Sequence, residues 1–273
     1  IGAGASEALD ALSINATGAA ALTIPQIGDA ANSRAGTNGT VTIGSSSAGA
    51  VSLSAATYQF AGGATTITSG DHITTRANSG GAAITSNGNV TIDPGSNKSL
   101  KTTGAFTVTT TADNNIIDIK GDILGVDVGT STETITLTDN GAGGTVKVAG
   151  DIDTEILSVT LTAGDEIELG GTITTINATN NNVDINGPVT LTANTTIDTS
   201  LNNGTIDLSS TVDGDYNFTL DSNGGVIGVN GIIGGTTAVK AIDINHTDGA
   251  GVITLVGIGT TSAAGNVGAV DIG

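Results

Sequence analysis

The sequence has no cysteine, no methionine and no tryptophan, and aromatic residues make up only 2% of its 273 residues. Without cysteine, a disulfide-stapled scaffold is excluded. A thick globular core normally draws on Phe, Tyr, Trp and Met, so a core of that kind is disfavoured. The apolar residues that remain are mostly Val, Ile, Leu and Ala, which suit a narrow interior only a few side chains across.

Proline is also scarce, with 3 residues, whereas glycine is abundant, with 42. Few prolines argue against a Pro/Gly-rich disordered linker. A mean hydropathy of +0.20 is too high for an intrinsically disordered chain. The composition therefore indicates an ordered chain that turns often, which is typical of many short strands.

Basic residues are few: 7 Lys and Arg stand against 26 Asp and Glu, for a net charge of −19. Nucleic-acid binding needs cations that displace phosphate counterions, so a nucleic-acid partner is not expected. No stretch approaches the roughly 18 apolar residues of a membrane-spanning helix, and direct membrane insertion is not expected either. The chain begins with Ile1 and has no Met, so we interpret it as one segment of a longer polypeptide.

Short bursts that alternate apolar and polar residues run along the whole chain. This period of two is typical of strands with one buried face. The central residue of each burst is most often Thr, Ser or Asp. Bursts include Val41-Thr42-Ile43, Ile117-Asp118-Ile119, Val126-Asp127-Val128, Ile135-Thr136-Leu137, Val146-Lys147-Val148, Ile167-Glu168-Leu169, Val183-Asp184-Ile185 and Phe218-Thr219-Leu220.

Asn-Gly pairs separate many of the bursts, for example Asn87-Gly88 and Asn186-Gly187. Such pairs favour tight turns, and hairpins in a β-sandwich are one interpretation. The strands are very short and recur along the entire chain, which favours a repeat architecture. We predict an all-β fold, a right-handed parallel β-helix that spans residues 1–273 as one continuous domain. Two or three strands would form each coil, giving about 18 to 27 residues per coil and about ten to fourteen coils.

The C-terminal third resembles the long repeats of large bacterial surface adhesins related to filamentous haemagglutinin. The resemblance covers about seventy residues, from residue 203 onward, and its matching positions are Gly204, Ile206, Val212, Gly214, Tyr216, Phe218, Leu220, Gly231, Ile233, Gly234, Gly235 and Val239. It implies a right-handed β-helical rod that is exported to the cell surface. It also places Tyr216, Phe218 and Leu220 inward on one strand.

Some proteins with a β-helix cleave polysaccharides, so an enzyme is an alternative from a different class. Glycoside hydrolysis needs two carboxyl groups about 5 to 10 Å apart, but the acidic clusters here are equally explained by a solvated alternating strand. No catalytic and no cofactor-binding residue is identified. Two acidic clusters are candidates for Ca²⁺ ligands, because this cation takes several oxygen ligands: Asp151, Asp153 and Glu155, and Asp165, Glu166 and Glu168.

Thr-x-Thr pairs such as Thr107 with Thr109 and Thr136 with Thr138 are a pattern of ice-binding solenoids. Their irregular spacing in the sequence argues against a flat array. The sequence as a whole favours a non-catalytic stalk or fibre segment of an extracellular, cell-surface adhesin. Glycans, host or neighbouring cell surfaces and sister fibres are its expected partners. A self-assembling filament or sheath subunit, and a polysaccharide-active or carbohydrate-binding β-helix, are the alternatives.

Overall fold

Short β-strands supply nearly all of the regular structure. The computed structural model describes residues 9–15, 18–28, 36–76, 81–126, 133–153, 155–176, 181–246, 251–259 and 267–273. Its strands are β1 (Leu12–Ile14), β2 (Leu22–Ile24), β3 (Val41–Gly44), β4 (Val51–Leu53), β5 (Thr57–Phe60), β6 (Thr65–Thr68), β7 (Ile73–Thr74), β8 (Ala82–Ser86), β9 (Val90–Asp93), β10 (Ser99–Thr102), β11 (Phe106–Thr110), β12 (Ile116–Ile119), β13 (Asp122–Gly125), β14 (Glu133–Asp139), β15 (Thr145–Val148), β16 (Ile152–Asp153), β17 (Ile156–Thr162), β18 (Glu166–Leu169), β19 (Thr172–Thr174), β20 (Val183–Asn186), β21 (Val189–Leu191), β22 (Thr195–Asp198), β23 (Ile206–Leu208), β24 (Val212–Asp213), β25 (Asn217–Asp221), β26 (Ile227–Ile233), β27 (Ala241–Asn245), β28 (Ile253–Ile258) and β29 (Ala269–Ile272). A 3₁₀ turn at Ser200–Asn202 is the sole helical element within these ranges, and none of their helices is long and apolar enough to cross a membrane.

The strands stack as three parallel ladders. The first ladder contains β5, β8, β11, β14, β17, β20, β23, β26 and β28, and the second contains β1, β3, β6, β9, β12, β15, β18, β21 and β24. The third contains β2, β4, β7, β10, β13, β16, β19, β22, β25, β27 and β29. The long strand β26 pairs with both β23 and β24, which joins the first two ladders into one 18-stranded sheet. The predicted parallel β-helix is confirmed.

One coil consists of one strand from each ladder in succession, and about nine such turns form an elongated solenoid. The step from one coil to the next varies, because Ile152 pairs with Ile173, 21 residues on, whereas Leu22 pairs with Val51, 29 residues on. The turns absorb this variation and the strands stay in register. The predicted ten to fourteen coils are too many, because each complete coil uses three strands.

Aliphatic side chains fill the interior in vertical columns. One column of the first ladder runs from Tyr58 through Ile84 and onward to Leu208, each residue pairing with the next across the ladder, and its members are at most 1% exposed. Burial of a side chain of this size contributes about 1.5 to 3 kcal/mol. Alternation places every second residue in such a column, which is why bursts of three residues suffice for a core.

Aromatic residues reach the core at a few positions. Tyr58, Phe106 and Phe218 are fully buried, and the Tyr58 hydroxyl donates to the Ile24 carbonyl at 2.9 Å. The expectation that Tyr216 also points inward is wrong, because this side chain is 36% exposed. Strand β25 begins only at Asn217, after a tight turn in which the Tyr216 amide donates to the Gly214 carbonyl.

The burst at Val126-Asp127-Val128 also differs from the prediction. Strand β13 ends at Gly125, and the Val126 side chain is 39% exposed. Asp127 and Val128 lie outside the described residues. An apolar residue at the end of a short strand can lie in the turn, where the inward–outward alternation no longer applies.

Candidate functional site

The outward face of the second ladder contains a row of charged side chains in the middle of the solenoid. Asp118 on β12 pairs in register with Lys147 on β15, which pairs with Glu168 on β18. Threonines continue this row on both sides, with Thr91 before Asp118 and Thr190 after Glu168. Stacked coils bring outward residues within about 4.8 Å of each other, so residues 21 to 29 positions apart become neighbours. We call Asp118, Lys147 and Glu168 the charged row.

An ion pair joins two members of the charged row. The Lys147 Nζ lies 2.5 Å from the Glu168 Oε1, and both side chains are about one-third exposed or less. This hydrogen bond is the main reason that the pKa of Lys147 lies above its ordinary value. At neutral pH Lys147 is therefore a fixed cation and not a general base.

Asp118 differs from the other two members because no hydrogen bond from the described part of the chain compensates its burial. Desolvation raises the pKa of Asp118, and the nearby Lys120 and Lys147 oppose that rise only in part. A cavity of about 90 Å³ lies beside the row, lined in part by Asp118, Lys147 and Glu168. Ligand sites for small molecules are usually about 300 Å³ or larger, so this space suits solvent better than a sugar ring.

A larger polar groove lies next to the charged row, where the second ladder turns into the third. Residues 93–98, 120–122 and 149–150 line it, and its volume is about 360 Å³. Two lysines at this groove are already paired with carboxylates: Lys98 Nζ lies 3.2 Å from an oxygen of Asp71, and Lys120 Nζ lies 3.8 Å from one of Asp93. The groove is thus nearly neutral in spite of the acidic composition.

The charged row meets part of what glycoside hydrolysis requires. It places two carboxyl groups, those of Asp118 and Glu168, two rungs apart, which corresponds to about 9.6 Å along the ladder. Inverting glycosidases hold their carboxyl groups about 6.5 to 9.5 Å apart with room for a water molecule between them. Here Lys147 occupies the rung between the two carboxyl groups and binds one of them. The Lys147–Glu168 pair therefore holds adjacent coils together, and Lys147 takes the place between the two carboxyl groups where an inverting enzyme holds its water molecule.

The acidic residues proposed as calcium ligands lie at separate places in the coils. Asp151 accepts a hydrogen bond from the Thr172 amide at 2.6 Å, and Glu168 is bound to Lys147. The others lie on or beside the strands of the neighbouring coils: Asp153 ends β16, Glu155 precedes β17 with a φ of 59°, Asp165 lies in a turn and Glu166 begins β18. Across the described ranges, no three His, Asp or Glu side chains come together as a metal site. Calcium binding stays a prediction to which the described structure adds no site.

Many carboxylates and amides at strand ends and in turns instead connect one coil to the next. Asp122 Oδ1 accepts from the Asp151 amide at 3.0 Å, and Asp213 Oδ1 accepts from the Thr236 and Thr237 amides. These side chains continue the ladder hydrogen bonds through corners where the backbones separate. Much of the acidic composition therefore has a structural function.

Sequence reasoning missed Asp118 and Lys147 as neighbours because no local motif contains both. A usable signal was present, since each is the central residue of an alternating burst, as is Glu168. Superposing the bursts Ile117–Ile119, Val146–Val148 and Ile167–Leu169 would have aligned the row. The assignment of each burst to one of three ladders needs the coil lengths, which the sequence does not state.

Comparison of the chain with known protein families, with curated proteins and with solved structures gives no match. The functional interpretation therefore depends on the residues and on the geometry described above.

Proposed function

We propose that this chain is a non-catalytic structural segment, a stalk or fibre, of an exported bacterial cell-surface adhesin. The observation that supports it most is the unbroken parallel pairing of three ladders, which makes each coil a rung of an extended rod. Such solenoids distribute stability over nearest-neighbour contacts and hold a fixed length between their ends. The resemblance of residues from 203 onward to adhesin repeats supports the cell-surface location.

The side chains on the outer surface agree with a structural role as a stalk. Small Thr, Ser and Asp side chains cover the strands, and the shortest ion pair among the described residues, Lys147 with Glu168, joins adjacent coils. Glycans, a host or neighbouring cell surface, or sister fibres would be contacted over a long lateral face. Self-assembly of copies into a filament is the alternative within the same architecture.

Labelling of intact cells tests the proposed location. Antibodies raised against the chain should label intact cells of the bacterium that encodes it, as strongly as they label permeabilised cells. An antibody to a cytoplasmic enzyme, which should label only permeabilised cells, is the control. Labelling of this chain that also requires permeabilisation would contradict the proposal.

A polysaccharide-active enzyme is the second candidate, and the charged row is the observation that favours it. Release of reducing ends or of unsaturated sugars from a polysaccharide panel would reveal such an activity. The matched variants are Asp118→Asn and Glu168→Gln, with Asp165→Asn in an exposed turn as the control. Turnover that both row variants abolish, and the control does not, would replace the structural proposal.

A further inference from the structure

Six threonines form a two-column array on the outward face of the first ladder. On each of the strands β11, β14 and β17, two threonines alternate with one inward residue. Thr107 pairs with Thr136 and then Thr160, and Thr109 pairs with Thr138 and then Thr162. The turns absorb the irregular spacing in the sequence, so the six threonines stack in register in spite of it. We call these six residues the threonine array.

The array hydroxyls are free of protein partners. All six side chains are partly exposed, and none of them makes a hydrogen bond to another residue in the ranges that the structure describes. Pairing within the array is continuous, because the register shift of β14 against β17 lies ahead of it, between Glu133 and Thr134. β-branched side chains have few χ1 rotamers, so each hydroxyl and methyl group is held in a restricted set of positions.

The six positions of the threonine array are uncharged in an otherwise acidic protein. The next rung on one side continues the two columns with Ala83 and Thr85. The next rung on the other side carries Asp184 beside Thr160 and Asn186 beside Thr162. The charged row lies on a different side of the solenoid, the outward face of the second ladder. A carboxylate or ammonium group would impose its own hydration shell, and the array contains neither, although Asp184 borders it at one end.

Dimensions and chemistry then point to one ligand. Rungs repeat about every 4.8 Å, and alternate residues along a strand lie about 6.6 Å apart. Oxygen rows on the prism faces of hexagonal ice repeat with similar distances in two perpendicular directions. We propose that the threonine array binds the ordered water of an ice surface, with the hydroxyls as hydrogen-bonding partners and the methyl groups seated between water molecules.

A crystalline polysaccharide is the other periodic solid that the threonine array could contact. Carbohydrate rings are usually held by aromatic side chains, and no Tyr, Phe or Trp belongs to the array or to the rungs Ala83 and Thr85. The observations therefore favour ice. This inference concerns a different face from the charged row, and it does not depend on the adhesin proposal.

Incorporation into a slowly grown ice hemisphere tests the inference. Wild-type protein should be concentrated in the ice fraction and should inhibit ice recrystallisation, relative to a globular protein of similar mass that is rejected from ice. The variant Thr136→Tyr places a large side chain in the centre of the array and should lose both effects. Thr91→Tyr changes an outward threonine of the second ladder and should retain both, with circular dichroism showing that both variants are folded.

Three results would overturn the inference. The first is rejection of wild-type protein from ice to the same extent as the globular control. The second is equal incorporation of Thr136→Tyr and Thr91→Tyr. The third is binding to microcrystalline cellulose or chitin that Thr136→Tyr abolishes while ice incorporation is absent.

Discussion

At the scale of single residues, the fold depends on which side of a strand a side chain occupies. Ile185 and Asp184 are adjacent in β20, yet Ile185 is fully buried between Leu161 and Leu208 whereas Asp184 faces outward. A substitution can therefore have opposite consequences at two consecutive positions.

Ile185→Asp should destabilise the protein by roughly 4 kcal/mol or more, because it buries a charge that no partner compensates. The free energy of unfolding, measured by chemical denaturation, checks this value. Asp184→Asn is the matched control and should keep the wild-type stability or exceed it slightly. Equal stability of Ile185→Asp and the wild type would show that the inward column is assigned incorrectly.

Asp184 also predicts a dependence on pH. Desolvation raises its pKa from the ordinary 3.8, and the charge of Asp207 on the next rung raises it further. A raised pKa means that the folded state binds the proton more tightly than the unfolded state does. The ionised Asp184 therefore destabilises the fold at neutral pH, and this destabilisation disappears at a pH below the ordinary pKa. Asp184→Asn should therefore raise the melting temperature at pH 7 and lose that advantage near pH 3. An advantage that is equal at both pH values would contradict the electrostatic cause.

At the scale of elements, the corners set how closely successive coils approach. A Cβ atom at Gly88 would lie 1.8 Å from the carbonyl oxygen of Gly63 in the preceding coil, whereas a Cβ atom at Gly257 would meet nothing nearer than 3.8 Å. At the corner that contains Gly88, successive coils are too close for any residue with a Cβ atom.

Gly88→Ala should therefore lower stability by about 1 to 3 kcal/mol, since the backbone of one coil has to move. Gly257→Ala should stay within about 0.5 kcal/mol of the wild type, as surface substitutions usually do. Thermal unfolding of the two variants side by side provides the measurement. A Gly88→Ala variant as stable as Gly257→Ala would mean that the corner is loosely packed.

Strands were predictable because period two is a local property. The burst Ile135-Thr136-Leu137 identifies its own inward and outward residues without reference to any other coil. The three-sided cross-section, the charged row and the threonine array were not predictable, because they depend on which burst stacks on which. Tyr216 shows where prediction from local alternation fails. It alternates with Phe218 in the sequence, but it lies before the start of β25, in a turn in which Gly214 has a φ of 132°.

At the scale of the whole molecule, one end of the solenoid leaves apolar strands open. Val270 and Ile272 on β29 are 46% and 50% exposed, although the residues with which they pair, Ile242 and Ile244, are buried. Neither β28 nor β29 pairs on its outer edge with another described strand. Open strand edges act as templates for pairing with a second chain.

Association of copies through this end should therefore increase with protein concentration. Sedimentation velocity over a wide concentration range would detect it, and Val270→Lys with Ile272→Lys should reduce it. Val126→Lys with Leu201→Lys introduces the same charges at exposed apolar residues elsewhere on the chain and serves as the control. A strictly monomeric wild type at the highest concentrations would contradict this expectation.

The register of the ladders makes rod length a stepwise quantity. Val183 and Ile206 occupy the same position in consecutive coils, 23 residues apart, and so do Ile197 and Leu220 in the third ladder. Removal of residues 183–205 would place Ile206 directly after residue 182, in the position that Val183 now occupies. Every later strand would then stack one rung earlier along the solenoid. Unequal recombination between the gene segments that encode two coils would have the same outcome, shortening or lengthening the rod by one rung, about 4.8 Å, with both ends intact. A gene of this design can change the reach of its product by recombination alone.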